Sequence, residues 1–418
     1  MSLAMKVQSV LLILLVCLAT TAEAKRKKTY AMSLNVFRAV EQINLLVDNE
    51  ETQEALLELE ETLSWSRLTK YEKAQLYYLK GTILYKQDGE AASMPAFSRV
   101  LDYAGDIPDF LHQRVTRTLM QLNLVLEDYS SARELGQQLI AISETPSADD
   151  WTLLAQANYK LSDWQAALEA IQAAREINRL AGKVPKENVL LLQNATYFEL
   201  KQMDNMITTL ETLIKHYPKS TYILYLASIF GQVDRLDKQT VLMESLYEAG
   251  KLTDSSQLIN LASLYMSEKV PIKAAHLLEA AIDDSTIKGS QRNYEMLSQA
   301  WRLAAEDELS MATLAKAANL ADDGELTLRL AYLLYDSNQW RKAAETAKLA
   351  IERGLTPKYV GESYLLIGMA NFNMNAYTAA ITACERAAEY PDSRDLAERW
   401  VSYIATEQEK VIAMQAVN

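Results

Sequence analysis

The sequence predicts an all-α protein in which one helical hairpin is repeated along the chain and a further helix closes the array. Glycine and proline contribute only 12 and 8 of the 418 residues. Average proteins contain roughly 7% and 5% of them, and a β-sandwich or barrel would need many such turn residues. Small residues also recur at a fixed spacing, with large apolar and aromatic residues around them. A fixed period of this kind indicates a repeat architecture.

The composition is that of a folded and acidic protein. Apolar residues make up 49% of the chain and charged residues 23%, which is too apolar for a disordered protein. The chain has 42 basic and 55 acidic residues, so its net charge is −13. Proteins that bind DNA or RNA neutralise phosphates with basic patches. The sequence therefore predicts no nucleic-acid partner and favours a protein partner with basic character.

Residues 1–24 have the three-part pattern of a secretory signal peptide. The cation Lys6 is followed by an apolar run over 10–19, and the motif AEA at 22–24 offers signal peptidase its small residues. The apolar run is too short for a membrane span, which needs about 20 residues. We therefore predict a signal peptide that is cleaved after residue 24, and a mature protein in the periplasm.

A basic run directly follows the predicted cleavage site, with KRKK at 25–28. Positive charge on that side opposes translocation, so an uncleaved N-terminal anchor is the alternative. Residues 25–35 are predicted to be a basic segment without regular structure. Removal of the leader would leave Cys384 as the only thiol, which cannot form a disulfide within the chain.

Small residues mark each repeated unit. Ala155, Ala167 and Ala174 stand 12 and 7 residues apart, and the same two spacings recur further along the chain. Such residues belong where two helices cross closely, because a larger side chain there would overpack by about 1–3 kcal/mol. The residues predicted to pack at these crossings are Gly81, Ala155, Ala167, Ala174, Ala262, Ala274, Ala281, Ala331, Ala343, Gly368 and Ala380.

Ten units are predicted between residues 36 and 390. A single hairpin cannot bury its apolar face alone, so the copies must stack, and the end of the stack needs a helix with a polar outer side. We assign that capping helix to residues 391–418, with Leu396, Trp400, Tyr403 and Ile404 on its apolar face. The units are predicted to begin near Val36, Ala74, Gln113, Ala148, Glu187, Thr221, Ser255, Gln291, Gly324 and Gly361, and those at 36 and 221 are degenerate.

This pattern resembles the tetratricopeptide repeat (TPR), a 34-residue helix–turn–helix unit. The resemblance implies a right-handed superhelical solenoid, with small residues at unit positions 8, 20 and 27. The stretches 186–232, 321–354 and 364–390 look more narrowly like exported bacterial TPR proteins that accompany the TonB–ExbB–ExbD system. That likeness implies a periplasmic accessory of outer-membrane uptake, with a component of this machinery as its partner. It supplies no catalytic residue.

The same resemblance implies a groove, lined by the first helix of each unit, that binds extended peptides or helices. Aromatic residues recur at unit position 12 and close to it, and aromatics anchor interfaces because they bury a large rigid area. The alternative is that these side chains pack against neighbouring helices as ordinary core. The candidate groove residues are Tyr78, Tyr85, Tyr159, Phe198, Tyr225, Tyr332, Tyr335 and Phe372.

One known recognition device of such grooves is missing. The clamp that holds acidic C-terminal tails needs Lys at unit position 5 and Asn or Arg at position 9 of adjacent units. Position 5 offers a single cation here, Arg117, and position 9 offers none. Recognition of an acidic tail is therefore disfavoured, in agreement with the preference for a basic partner.

Residues for catalysis or metal binding are scarce. The three histidines, His112 in a predicted loop, His216 and His276, stand far apart in the sequence, and there are only two cysteines. No metal, cofactor or enzyme activity is predicted, and the function predicted is a periplasmic scaffold for protein–protein interaction. Two alternatives are an assembly factor for another envelope complex and an envelope enzyme with helical repeats. A glycan hydrolase, for example, would need two carboxylates facing each other across a cleft.

Overall fold

The computed structural model describes residues 30–417, and within them the chain contains 21 α-helices, one 3₁₀ turn at Ala104–Asp106 and no strand. The predicted signal peptide, its cleavage site and the basic run at 25–28 lie outside the described residues. The chain divides into two compact units, which meet between residues 206 and 207. The predicted all-α class is confirmed: ten helical hairpins follow one another, and one further helix ends the chain.

The first unit contains four hairpins, the first helix of a fifth hairpin and the start of that hairpin's second helix. This second helix continues into the second unit. Consecutive helices form each hairpin, so odd-numbered helices are first helices and even-numbered ones are second helices. The helices are α1 (Leu34–Asp48), α2 (Thr52–Leu63), α3 (Lys70–Asp88), α4 (Glu90–Leu101), α5 (Asp109–Val125), α6 (Tyr129–Ile142), α7 (Ala148–Lys160), α8 (Trp164–Leu180), α9 (Glu187–Glu199) and α10 (Met203–His216).

The second unit contains five further hairpins and the C-terminal helix. None of the helices in the described part of the chain is both long and apolar enough to cross a bilayer. The helices are α11 (Ser220–Gln232), α12 (Leu236–Glu248), α13 (Ser255–Ser267), α14 (Pro271–Asp283), α15 (Gln291–Leu303), α16 (Asp307–Leu320), α17 (Glu325–Asp336), α18 (Trp340–Glu352), α19 (Pro357–Asn373), α20 (Tyr377–Ala388) and α21 (Arg394–Val417).

The first helices begin within two residues of the positions that the repeat pattern predicts, or one turn earlier. The observed starts at 148, 187, 255 and 291 equal the predicted first positions, whereas α3, α5 and α19 begin four residues before them. The repeat pattern follows residues at helix crossings, while a helix begins at its cap. In α3 that cap is Thr69, whose side chain accepts a hydrogen bond from the backbone N–H of Glu72.

Small residues lie at the helix crossings of both units. All the alanines and glycines predicted to pack there are buried. A Cβ added to Gly81 would lie 2.8 Å from the ring of Phe97, and one added to Gly368 would collide with Cys384 Sγ. At these two positions glycine is required by the close approach of the second helix.

Every hairpin turns through one residue with a positive φ. Only one of the ten turns uses glycine, Gly89, whereas the others use residues with side chains, such as Ser162 and Ala305. In the turn after α15 the backbone N–H of Glu306 donates to the carbonyl of Trp301 at 2.9 Å. This is the bond that closes a helix end of the Schellman type. Scarce glycine thus reflects side chains placed in left-handed turns.

The C-terminal helix α21 packs on α19 and α20. Its buried residues are Ala397 and Ile404, and Trp400 lies half-buried against the same cluster. Leu396, assigned above to the apolar face, is exposed instead, because the buried stripe runs through Ala397. Beyond this helix end the array has no further hairpin among the described residues.

Candidate protein-binding surface

In the first unit, the candidate groove residues divide into exposed and packed side chains. Tyr85 at the end of α3 and Phe198 at the end of α9 are 47% and 50% exposed. Tyr78 and Tyr159 are half-buried. The first helices α7 and α9, which carry Tyr159 and Phe198, touch each other; the candidate groove residues on the first helices are called the aromatic stripe below. Large exposed aromatic rings on such a face are suited to binding a protein segment.

The half-buried rings of the first unit make their contacts inside their own hairpins. Tyr78 places its ring edge-on to Phe97 with centroids 5.7 Å apart, and Tyr159 meets Trp164 in the same way at 4.9 Å. For these two residues, packing within the hairpin covers part of the ring, as the alternative interpretation expects. Their remaining surface is open to solvent.

In the second unit, Tyr225 and Tyr332 are exposed, whereas Tyr335 and Phe372 are engaged in packing. The Tyr335 hydroxyl accepts a hydrogen bond from Asn373 Nδ2 at 3.0 Å. The Phe372 ring lies against three other rings, those of Tyr377, Trp400 and Tyr403 at 5.4–5.9 Å. Phe372 therefore belongs to the contact that seats α21, and the exposed aromatic surface of this unit centres on Tyr225 and Tyr332.

Carboxylates surround Tyr332. A cavity of about 150 Å³ between α17 and α19 is lined by Glu325, Arg329, Tyr332 and Glu362, among others. Burial and the charge of Glu362 raise the pKa of the Tyr332 phenol to about 12, so the hydroxyl stays protonated. Arg329 donates to Glu295 at 3.2 Å. The surface at Tyr332 thus combines an aromatic face, two carboxylates and Arg329, which is paired with Glu295. The carboxylates beside the ring favour cations.

Arg117, the single cation at unit position 5, is held by a buried carboxylate. Its guanidinium donates to Asp150 through Nε at 2.5 Å and Nη2 at 3.0 Å. Asp150 also accepts from the backbone N–H and the hydroxyl of Ser147. Burial opposes the charge on Asp150, but the hydrogen bonds from Arg117 and Ser147 outweigh it and hold the pKa of this carboxyl below its usual value. Arg117 thus joins α5 to α7.

Glu72 has an equivalent position in the second hairpin. Its carboxylate accepts from the backbone N–H groups of Thr69 and Ser33, both at 2.8 Å, and so links α3 to the residue that caps α1. Burial raises the pKa of Glu72 and these hydrogen bonds lower it, with a net lowering. Neither carboxylate is predicted from the repeat pattern. The signal that marks them is a Ser or Thr followed three residues later by an acid, the pattern of a capping box.

The titratable groups in the described part of the chain do not cluster into a metal site. Residues 30–417 contain no group of three or more His, Cys, Asp or Glu that could hold a metal ion. His112 lies inside α5, so its prediction as a loop residue is wrong, because α5 begins a turn earlier than the repeat pattern indicates. Cys384 is buried, and burial raises the pKa of its thiol to about 11. It therefore remains a neutral, packed side chain.

Among residues 30–417, every carboxyl group with a shifted pKa has a lowered pKa. A glycan hydrolase needs a carboxylic acid whose pKa is raised, so that it can donate a proton at neutral pH. In the part of the chain that the structure describes, each displaced carboxyl pKa is lowered, by hydrogen bonds at helix caps or by ion pairs; these groups are Glu72, Asp128, Asp150, Glu176, Glu244, Asp254 and Asp284. They act as helix caps, as turn acceptors, as links between helices or, for Glu176, as the partner of Arg179 within one helix.

Comparison with known proteins adds a family match and several similar structures. The tetratricopeptide-repeat family model matches residues 192–220 and 362–393. No curated protein matches the sequence. The complex of Naa15 and Naa10 bound to HypK-THB is similar at 15% identity and a TM-score of 0.40, over 90% of this chain and 62% of that one.

Two further solved structures are similar over most of their own length. A TPR protein from Parabacteroides merdae is 12% identical with a TM-score of 0.34, over 70% of this chain and 98% of that one. The TPR2AB domain of yeast Sti1, in a complex with pHSP90, is 11% identical with a TM-score of 0.34, over 65% and 98%. At such identities and scores the likeness says nothing about the partner of this chain. The chain's own ten hairpins are helix–turn–helix units, and two segments within them match the tetratricopeptide-repeat family model.

Proposed function

We propose that this protein is an exported scaffold that binds a basic, extended segment of an envelope protein on the aromatic stripe of its first helices. Repeats of this type imply protein–protein interaction. The observation that carries the proposal is the set of exposed rings on the first helices within each unit, Tyr85 and Phe198 in the first unit and Tyr225 and Tyr332 in the second. The carboxylates beside Tyr332 and the net charge of −13 favour a cationic segment.

A segment rich in lysine and proline matches this surface in two ways. Prolines stack on aromatic rings and keep the segment extended, so little entropy is lost on binding. Lysines gain from the faces of the rings and from the carboxylates around them. The resemblance to exported TPR proteins of the TonB–ExbB–ExbD system suggests such a source, because the periplasmic stretch of TonB-like proteins has this composition. An assembly factor for another envelope complex is the second candidate, and it uses the same surface.

The binding surface is tested with the double variant Tyr159→Ala with Phe198→Ala. A labelled Lys–Pro-rich peptide serves as the probe, and its fluorescence anisotropy gives the affinity. We expect the double variant to keep its helical circular dichroism and to bind at least about 30-fold more weakly, which corresponds to about 2 kcal/mol. Added salt should weaken binding to the wild-type protein, because salt screens the attraction of the acidic surface.

Phe110→Ala is the matched control, since Phe110 is 59% exposed on α5 but lies outside the stripe. This variant should bind the peptide like the wild-type protein. Unfolding of the double variant would show that Tyr159 and Phe198 are core residues. A folded double variant with undiminished affinity would place the binding surface elsewhere.

The cellular location has its own measurement. The tripartite N-terminus motivates a mature chain that begins at Lys25. Intact-mass spectrometry of the protein from a periplasmic extract should give the mass of residues 25–418. A chain that retains Met1 in the envelope fraction would contradict cleavage and support the N-terminal anchor.

A further inference from the structure

The second unit also contains an apolar cavity. It has a volume of about 530 Å³ and is formed by α10, α11 and α12. The second helices α10 and α12 line its two sides, and α11 forms its floor. The aromatic stripe, by contrast, is carried by first helices, and none of its residues lines this cavity.

The floor of the cavity is buried and its mouth is apolar. Leu226 and Phe230 on α11 are buried, and Ile214 and Leu242 stand half-buried on the two sides. Val241 stands at the mouth and is 64% exposed. An apolar cavity of this size that opens to water falls in the range of binding pockets, about 300–1,000 Å³, and its lining gains free energy when a ligand covers it.

Four charged side chains surround the apolar lining. Glu211 and Lys215 lie on α10, Asp237 and Lys238 lie on α12, and all four are exposed. Within residues 30–417 the carboxylates and the amines of this set make no ion pair. Lys238 Nζ lies 5.4 Å from the centroid of the Phe230 ring. Each side of the cavity thus presents one charge of each sign beside apolar residues.

The cavity coincides with a repeat whose sequence departs from the pattern. The unit that begins at 221 has Ser228, Thr240 and Tyr247 where the units at 148, 255, 324 and 361 have alanine or glycine. Ser228 and Tyr247 are exposed. At this hairpin the helices therefore do not pack through the unit positions that lie at the helix crossings of other repeats.

We propose that this cavity is a second docking site, which receives one amphipathic helix of a protein partner. The lining residues follow helical spacing, with Leu226 and Phe230 four apart and Asp237 and Val241 four apart, so an added helix can continue the ridge-and-groove packing of the hairpins. The rim selects among occupants. A helix that carries both acids and bases can pair with all four rim charges. A lipid with one charged end would leave most of them unpaired.

Selection from a displayed library of short helical peptides on the immobilised full-length protein tests this site. We expect the enriched peptides to carry large apolar residues at spacings of three and four, flanked by charges of both signs. The best peptide should bind the Val241→Asp variant at least about tenfold more weakly, because the new carboxylate would enter the apolar mouth. Val125→Asp is the matched control, since Val125 is 61% exposed at the end of α5 in the first unit, and it should bind like the wild-type protein.

A charge-reversal experiment tests the rim without disturbing the apolar lining. Lys215→Glu with Lys238→Glu should weaken the selected peptide, and a peptide whose acidic residues are replaced by lysine should regain affinity for this variant. The site is independent of the aromatic stripe, so Tyr159→Ala with Phe198→Ala should leave this peptide bound.

Three results would overturn the docking site. The first is a selection that enriches no apolar helical pattern. The second is an enriched peptide that binds the Val241→Asp and wild-type proteins equally. The third is binding of a fluorescent long-chain fatty acid that Val241→Asp abolishes while no peptide competes, which would make the occupant a lipid.

Discussion

At the scale of single residues, the first unit depends on carboxylates placed at helix starts. Asp150 and Glu72 each occupy the third position of a first helix and accept hydrogen bonds from their own cap. Each then reaches a neighbouring hairpin, Asp150 through Arg117 and Glu72 through the backbone of Ser33. A buried charge of this kind is stable only while its partners are in place. One residue therefore caps a helix and sets the contact between two repeats.

The ionisation of Asp150 makes stability depend on pH. The folded-state pKa lies below the usual 3.8, so its contribution is present at pH values above about 4 and is lost as the pH falls through the lowered pKa. Asp150→Asn should lower the free energy of unfolding by about 1–3 kcal/mol at pH 7. The difference from the wild-type protein should shrink as the pH is lowered towards 2. Urea unfolding followed by circular dichroism between pH 2 and 7 measures both effects.

Asp149→Asn is the control for this prediction. Asp149 precedes Asp150, is exposed and pairs with Lys186 at 2.8 Å. Its loss should change stability by less than about 1 kcal/mol, because both partners are well solvated. Equal pH profiles for Asp150→Asn and the wild-type protein would contradict a structural role for the Asp150 charge.

At the scale of helices and turns, the spacing of small residues predicts the hairpins well, because only a small residue fits where helices cross. Gly81 beneath the Phe97 ring is an example. Helix starts are less predictable from this pattern, because a cap such as Thr69 can extend a helix by a turn without moving a crossing. The left-handed turns were not predicted, since nine of the ten contain no glycine.

These turns offer a direct way to stabilise a hairpin. Ala305 has φ of 60°, and an alanine in this conformation suffers a clash between its Cβ and the following carbonyl. Ala305→Gly should therefore raise the free energy of unfolding by about 0.5–1 kcal/mol, since the relief of strain exceeds the entropy lost by glycine. Asn338→Gly should give less, because asparagine tolerates the left-handed region. A denaturation midpoint of Ala305→Gly at or below that of the wild-type protein would show that the turn is unstrained.

At the scale of the whole molecule, the number of repeats and the C-terminal helix follow from the sequence, whereas the binding surface does so only in part. Position in the unit identifies Tyr85 and Phe198, and these are exposed. It identifies Phe372 in the same way, although the ring of Phe372 is covered by Trp400 and Tyr403 of the last helix. Whether an aromatic residue faces solvent depends on what its neighbour covers, and the spacing within one unit carries no information about that neighbour.

A repeat array also differs from a globular domain in how far a defect spreads. Each hairpin contacts only its neighbours, so stability is close to a sum of local terms. Ala274 is fully buried in the seventh hairpin and belongs to the hydrophobic cluster that joins α13, α14 and α15. Ala274→Leu should overpack this crossing and cost about 1–3 kcal/mol.

The damage from Ala274→Leu should remain local within the second unit. Hydrogen exchange measured by mass spectrometry should accelerate in α13, α14 and α15, because local opening there costs less free energy. The amides of α19 and α20, three hairpins further along, should exchange at the wild-type rate. Ala275→Ser adds only a hydroxyl group, about the size of a methyl group, at the adjacent buried position. It should cause a smaller change in the exchange rates of the same segments. Uniform acceleration through the second unit would show that its hairpins open together, and an unchanged exchange rate in α14 would place the crossing at another residue.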